Sequence, residues 1–282
     1  MYIALFIKKM KKFQNKNSKK SIANFQKKKF EEDGFVILKK VIPEQIIDKI
    51  NLFLSKERIV LESIMMNEGI NLKKITNDDL NKINKTFSTD KKNFFRNVIT
   101  GNFPKKIKGN EIFNDLFKSK KFQEKIKLLL NSEKLFMHIY PSPRHISKKN
   151  NLSIVPLHTD SQYNPHLKKF VTVWVPINVF EKKMGGILVL PRSHKTHRIK
   201  SKIRKDGLWF ESTKTIKEKP HYFLMSKGDI MVMNQNLIHG SMENKSNKIR
   251  FSIDARFFGK KNYSTKHFLN LQTGVISKNI IN

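Results

Sequence analysis

Apolar positions recur with two different periods along this chain, and the change of period falls near Leu135. Upstream, they return every three or four residues. Ile46, Ile50, Phe53 and Leu54 follow Pro43, which can open a helix because its missing N–H lies where a helix has no partner for one. Phe122, Ile126 and Leu129 line one face of a second predicted helix, from about Phe122 to Leu130. The intervening stretch from about Asn67 to Pro104 is polar, rich in Lys and Asn, and shows no clear period. Ahead of both helices, Asp33-Gly34 marks a turn and Phe35, Val36, Ile37 and Leu38 a short buried strand.

Downstream the apolar runs shorten to LFMHIY, LSIVPLH, FVTVWVPINV, GILVLP, YFLM, DIMVMNQNLIH and IRFSIDARFF. Short strands joined by Gly- and Pro-bearing turns predict a sandwich or barrel. Helices first and strands afterwards make the expected class α+β, with helices packed on a β core. No internal repeat or low-complexity linker appears. The expected organisation is a basic, disordered tail over residues 1–24, one domain over 25–262 and a C-terminal extension over 263–282.

Composition fits a globular chain long enough to bury a sizeable core: 282 residues, 38% hydrophobic, with 22 Phe. The absence of cysteine excludes disulfides, iron–sulfur clusters, thiolate zinc sites and a cysteine nucleophile. The net charge is +34, carried mainly by Lys, with only eight Arg. Such charge can attract nucleic acid, an anionic membrane face or an acidic substrate. The Lys are spread over the whole length, however, and Asn and Ile are also abundant, which favours compositional bias over a dedicated nucleic-acid surface. The opening run MYIALFI is seven residues long and precedes its lysines, so it matches neither a signal peptide nor a membrane span. A cytoplasmic enzyme with no membrane partner is the expectation.

The candidate chemistry begins at His158-Thr159-Asp160, at the end of the predicted strand LSIVPLH. Side chains alternate faces along a strand, so residues i and i+2 point the same way with α-carbons roughly 6–7 Å apart. An imidazole and a carboxylate at that spacing can converge on one metal. His239, closing the predicted strand IMVMNQNLIH, is the candidate third ligand. Two His and one carboxylate on one face of an octahedron leave three positions open, the arrangement of non-haem Fe(II) oxygenases. An HxD pair alone is a weak signal, because a single His is more often a hydrogen-bonded structural residue. Arg250, eleven residues after His239, strengthens it. Strand alternation puts Arg250, Ser252, Asp254 and Arg256 on one face. A buried Arg needs an anionic partner. The distal carboxylate of 2-oxoglutarate and a structural Asp or Glu are the two candidates.

From about Phe25 to Phe258 the chain resembles the phytanoyl-CoA dioxygenase family of Fe(II)/2-oxoglutarate-dependent oxygenases. The matching stretches are FEEDGFVILKKVI, VPLHTD, VTVWVPINVF, GGILVLPRSHK, KGDIMVM and LIHGSMENKSNKIR, in matching order and spacing. The resemblance implies a double-stranded β-helix core, jelly-roll or cupin-like, with flanking N-terminal helices. It implies His158, Asp160 and His239 as iron ligands, and Arg250 with Ser241 as holders of the co-substrate carboxylate. Trp174 matches a position often near the pocket, with ordinary core packing as its other role. Fe(II), 2-oxoglutarate and O2 are the implied reactants, with succinate and CO2 released as the substrate is oxidised. Halogenating relatives replace the carboxylate ligand by a small residue, so Asp160 points to hydroxylation. Gly185-Gly186 and Pro191-Arg192-Ser193-His194 read as turns, and His194 as a non-ligand.

The expected substrate is a small organic metabolite, and nothing in the sequence identifies an acyl-CoA. Its recognition is expected from Tyr140–Lys149, Gln162, Tyr163 and the Asn67–Pro104 stretch, with Arg144 either an anion holder or a solvated loop residue. Two alternatives remain. Nucleic-acid demethylases also place two Arg six residues apart, as Arg250 and Arg256 stand, although six strand residues span roughly 20 Å, too far to grip one small co-substrate. A non-catalytic binding member of the fold is the other, with a metal enzyme that dispenses with 2-oxoglutarate as a further variant.

Overall fold

A computed structural model of the chain describes residues 18–148, 150–178, 181–196, 201–213, 219–260 and 262–281. Residues 1–17 of the expected tail, Lys149 and Val179-Phe180 lie outside the described residues. The helices are α1 (Ser18–Asp33), α2 (Glu44–Asn67), α3 (Asn77–Thr86), α4 (Thr89–Ile99), the single turn α5 (Lys105–Lys108) and α6 (Lys120–Leu130). Helix α1 starts inside the segment expected to be a tail. Phe30 holds it to the main core, and Lys29 and Asp33, one turn apart, pair at 2.6 Å. The unassigned polar stretch becomes α3 and α4. Thr76 and Asp79 cap α3 reciprocally, and Leu80, Ile83, Phe95, Val98 and Ile99 supply a buried face too sparse to show as a period.

The strands are β1 (Phe35–Leu38), β2 (Phe136–His138), β3 (Ser142–Ile146), β4 (Phe170–Pro176), β5 (Ile187–Val189), β6 (Ser201–Ile203), β7 (Phe210–Ser212), β8 (His221–Tyr222), β9 (Ile230–Asn234), β10 (His239–Ser241), β11 (Arg250–Phe258), β12 (Asn262–Asn270) and β13 (Ile276–Ile281). The large sheet runs β1-β9-β4-β11-β2-β12-β13, with β3 also beside β11. A smaller sheet, β10-β5-β8, forms the second layer of a double-stranded β-helix, and β6-β7 is a separate hairpin.

Alternation on the central strands sorts the two faces of the large sheet. Val171, Val173 and Val175 of β4, Ile230 and Val232 of β9, and Phe251, Ile253, Ala255 and Phe257 of β11 share one core with the helices. The opposite face carries Thr172, Trp174, Arg250, Ser252, Asp254 and Arg256, and turns towards the jelly-roll interior. The antiparallel register of β11 on β4 sets Asp254 against Trp174 and Arg256 against Thr172.

Three expectations change. The C-terminal extension belongs to the sheet, because β12 pairs with β2 and then with β13. The run YFLM yields only the edge of the two-residue β8. IMVMNQNLIH breaks after Asn234, whose side-chain oxygen accepts from Asn236 N at 2.9 Å and turns the chain before His239 opens a new strand.

Candidate metal centre

His158 and His239 face each other across an isolated antiparallel bridge, exchanging backbone hydrogen bonds of 2.9 and 3.0 Å. That pairing brings the two imidazoles to 4.3 Å between ring centres. His158 is therefore not the end of a continuous strand, as the sequence suggests. The stretch Asn151–Ser153 forms a 3-10 turn, and Asp160 opens the one-turn helix α7 (Asp160–Tyr163). Ser161 N donates to Gln235 O at 3.0 Å and fixes this bend. A bend, rather than strand alternation, brings the carboxylate beside the imidazoles.

Asp160 Oδ1 lies 3.9 Å from His158 Nε2, and its Oδ2 lies 3.7 Å from His239 Nε2. One ligand atom from each residue falls within 4.8 Å of the others, a spacing that suits a single ion. The Nδ1 atoms are committed elsewhere: His158 Nδ1 sits 2.8 Å from Pro156 O and His239 Nδ1 sits 3.0 Å from Leu237 O. Since a carbonyl only accepts, each Nδ1 is the protonated nitrogen and each Nε2 offers a lone pair. Burial, helped by the nearby His239, pushes the His158 imidazole down to about 3, which keeps it in the neutral form a metal requires.

Burial alone would raise the Asp160 carboxyl, but Arg256, the two histidines and Thr172 outweigh it and hold the group below the usual carboxylate range. Arg256 Nη2 donates to Oδ1 at 2.9 Å, and the Thr172 hydroxyl donates to Oδ2. Sequence reasoning alone misses both roles. A lone Thr within the apolar run FVTVWVP is the available signal for Thr172, while the Arg256 pairing depends on tertiary approach. The donor set fits a divalent cation: two imidazole nitrogens and an ionised carboxylate, all buried and all supported by second partners.

His158, Asp160, His239 and Arg256 line a cavity of about 480 Å³, together with Ser241, Arg250 and Trp174. Trp174 lines the cavity and also packs with Ile187, Met231 and Phe35. Arg250 is 2% exposed, and its Nη1 donates to the carbonyls of Met184, Gly186 and Met242 at 3.2–3.4 Å. Burial, then the repulsion of Arg144, lowers its guanidinium to about 10. Among the described residues no carboxylate forms an ion pair with it, so the structural salt bridge that was its other expected role is not seen.

The region expected to recognise substrate is only partly present. Tyr140, Arg144 and Tyr163 line the cavity, as does Asn102 from the polar stretch. Gln162 does not; its Oε1 accepts from Thr159 N at 3.4 Å and helps shape the ligand loop. Arg144 is neither in a loop nor solvated, because it belongs to β3 and is 8% exposed. His194 lies over Gly34, with Nε2 3.1 Å from Glu31 O, away from the metal ligands.

Fold and donor set together suit a single metal ion held at the mouth of a jelly-roll core. The phytanoyl-CoA dioxygenase model matches residues 30–252, well over half of the chain, and the chain belongs to that family. Ferrous iron, 2-oxoglutarate and O2 are the reactants of that family. No curated protein sequence matches the chain. Among solved structures, the epimerase SnoN in complex with Fe3+, alpha ketoglutarate and nogalamycin RO aligns with a TM-score of 0.59 and 12% identity, over 86% of each chain. EvdO2 from Micromonospora carbonacea var. aurantiaca aligns at 0.57 and 15% identity, over 82% of this chain and 89% of its own; a second EvdO2 structure contains 2-oxoglutarate. AviO1 from Streptomyces viridochromogenes Tue57 aligns at 0.53 and 14% identity, over 85% and 96%. These likenesses bear on the fold.

Proposed function

We propose that this chain hydroxylates a small organic metabolite in a reaction that depends on ferrous iron and 2-oxoglutarate and releases succinate and CO2. One observation carries the proposal: two imidazole Nε2 atoms and one carboxylate converge on a cavity that also receives a buried guanidinium with no ion-pair partner among the described residues. Family membership supports it, as do iron and keto acid in SnoN and 2-oxoglutarate in EvdO2.

His158 and His239 would hold the iron through Nε2 and Asp160 through its carboxylate. Bound iron would supply O2 activation, coupled to oxidative decarboxylation of the keto acid. Arg256 and Thr172 keep the Asp160 carboxylate ionised and aimed. Arg250, with its Nη1 fixed by three carbonyls, would hold the far carboxylate of 2-oxoglutarate, assisted by the Ser241 hydroxyl. Trp174 and Ile187 give that part of the cavity an apolar wall, which limits water and strengthens the charge contacts inside it. A cytoplasmic setting is part of the proposal; among the described residues no helix is long and apolar enough to cross a membrane.

The nucleic-acid alternative rests on the spacing of Arg250 and Arg256, and Arg256 is already engaged by Asp160. A metabolite screen reading substrate-stimulated succinate release, followed by mass spectrometry of the product, tests the proposal. A product heavier by one oxygen atom is expected. An isomeric product would retain the cofactor chemistry but refute hydroxylation, and iron-loaded protein that never consumes 2-oxoglutarate would refute both.

A further inference from the structure

The cavity holds more positive charge than the keto acid can use. The cations lining it are Lys105, Arg144, Arg250, Arg256 and Lys266, against two carboxylates, Asp160 and Asp254. Arg256 is paired with Asp160, and Arg250 is taken by 2-oxoglutarate in the proposed reaction. Asp254 alone is left to balance Lys105, Arg144 and Lys266.

Among the described residues, the hydrogen bonds and ring contacts of these three cations are with neutral groups. Arg144 donates to Asn102 Oδ1 at 3.3 Å, Thr100 O at 2.9 Å and Ser153 O at 3.2 Å, while its buried Nε has no hydrogen-bond partner. Its guanidinium stands 5.0 Å from the centre of the Trp209 ring. Lys266 Nζ reaches Asn164 Oδ1 at 3.4 Å, and Lys105 Nζ lies 5.5 Å over the Tyr140 ring. Lys105 and Lys266 are exposed, but Arg144 is 8% exposed, and burying a cation among neutral acceptors is costly unless a counter-charge arrives. Lys108, on α5, reports the same surplus. Burial, followed by repulsion from Arg144, Arg256 and Lys266, pushes its ammonium down to about 8, although Asp254 pulls the other way.

We propose that the end of the cavity formed by Lys105, Arg144 and Lys266 binds an oxyanion carried by the substrate, whose class is therefore a phosphorylated, sulfated or carboxylated small molecule. The inference deepens the dioxygenase reading and rests on it for the reaction, but anion binding itself needs no turnover. Asp254 is then free to accept a hydrogen bond from a hydroxyl or amine on the same substrate.

The chain's two tryptophans, Trp174 and Trp209, both line the cavity and provide a readout independent of activity. In a Trp174→Phe background, the Trp209 emission of the full-length chain is titrated with inorganic phosphate, sulfate and acetate. A saturable change is expected, and the anion that gives it tells a phosphate or sulfate ester from a carboxylate. Lys105→Gln and Lys266→Gln should each weaken that anion by about tenfold, the scale of one charge-assisted hydrogen bond. Arg144→Gln should do so more strongly, and the two lysine variants keep the test open if that buried substitution fails to fold. Absence of a saturable change with all three anions would overturn the proposal. So would a change that both lysine variants leave untouched and Arg250→Gln abolishes, because the anion would then occupy the co-substrate site. Failure of the dioxygenase reading appears separately, as absence of succinate formation.

Discussion

Arg256 grips Asp160 Oδ1 at 2.9 Å from the same face of the same strand that carries Arg250. A single strand thus fixes the proposed metal ligand at one position and, six residues earlier, presents the guanidinium proposed for the co-substrate. β11 is paired with β3 from Arg250 to Asp254 and with β4 from Ser252 to Phe258, so the two positions are held on one continuously paired strand. The distance between metal and co-substrate contacts is set by strand pitch rather than by a mobile loop.

Removal of Arg256 should act mainly on the protein without metal. Arg256→Gln leaves Asp160, 1% exposed, without its cationic partner, and breaking a buried pair costs about 3 kcal/mol or more. A bound divalent ion would restore the missing positive charge. Thermal unfolding with and without Mn2+ is expected to show a larger loss for the metal-free variant than for the loaded one. Equal losses in both states would mean that Arg256 serves packing instead of the metal ligand.

Arg250→Gln should raise the 2-oxoglutarate requirement by roughly 100-fold, the loss of two charge-assisted bonds, while metal binding persists. Gly185→Ala should reproduce part of this effect from outside the cavity. Gly185 has φ +69°, and an added Cβ would lie 3.0 Å from Arg250 Nη1 and 2.5 Å from Glu243 O. The guanidinium would have to shift, and the strained backbone adds about 1–3 kcal/mol of destabilisation. Titration of both variants with 2-oxoglutarate, with metal affinity as the control, checks the pair.

Acid should destabilise the fold through histidines outside the candidate ligand set. Burial holds His145 well below its ordinary 6.5, and burial with Lys266 and Arg256 takes His138 to about 3. An unfolded chain takes up protons near pH 6.5 that the folded chain refuses. The stabilisation is therefore complete above that pH and is lost as pH falls from 6.5 towards 3. Two such groups give a slope of about 3 kcal/mol per pH unit at its steepest. His145 has no hydrogen-bond partner for either ring nitrogen and packs edge-on against Phe103 at 4.9 Å. His145→Phe should gain stability relative to the parent as pH is lowered, whatever its steric cost at pH 8. Parallel denaturation curves at both pH values would contradict this.

The amino-acid sequence exposes those features that a short window records. Alternation along Arg250–Phe257 by itself separates the helix-facing apolar residues from the cavity-facing Arg and Asp, and the ligand residues stand out by type and context. Features that depend on distant partners do not show in this way. β12 carries Lys266 and His267 within its run and becomes a strand by pairing with β2. Arg144 resembles a loop residue in sequence because its burial comes from β11, Trp209 and the Thr100 carbonyl, each far away in the chain. The Asp160–Arg256 pair likewise joins residues 96 positions apart.

The central claim is that His158, Asp160 and His239 hold one metal ion between them. Anaerobic titration with Fe(II), followed by isothermal calorimetry, should give one ion per chain in the parent and loss of that binding in His158→Ala, Asp160→Ala and His239→Ala, each checked for folding by circular dichroism. Parental stoichiometry and affinity in any one of the three folded variants would contradict the claim.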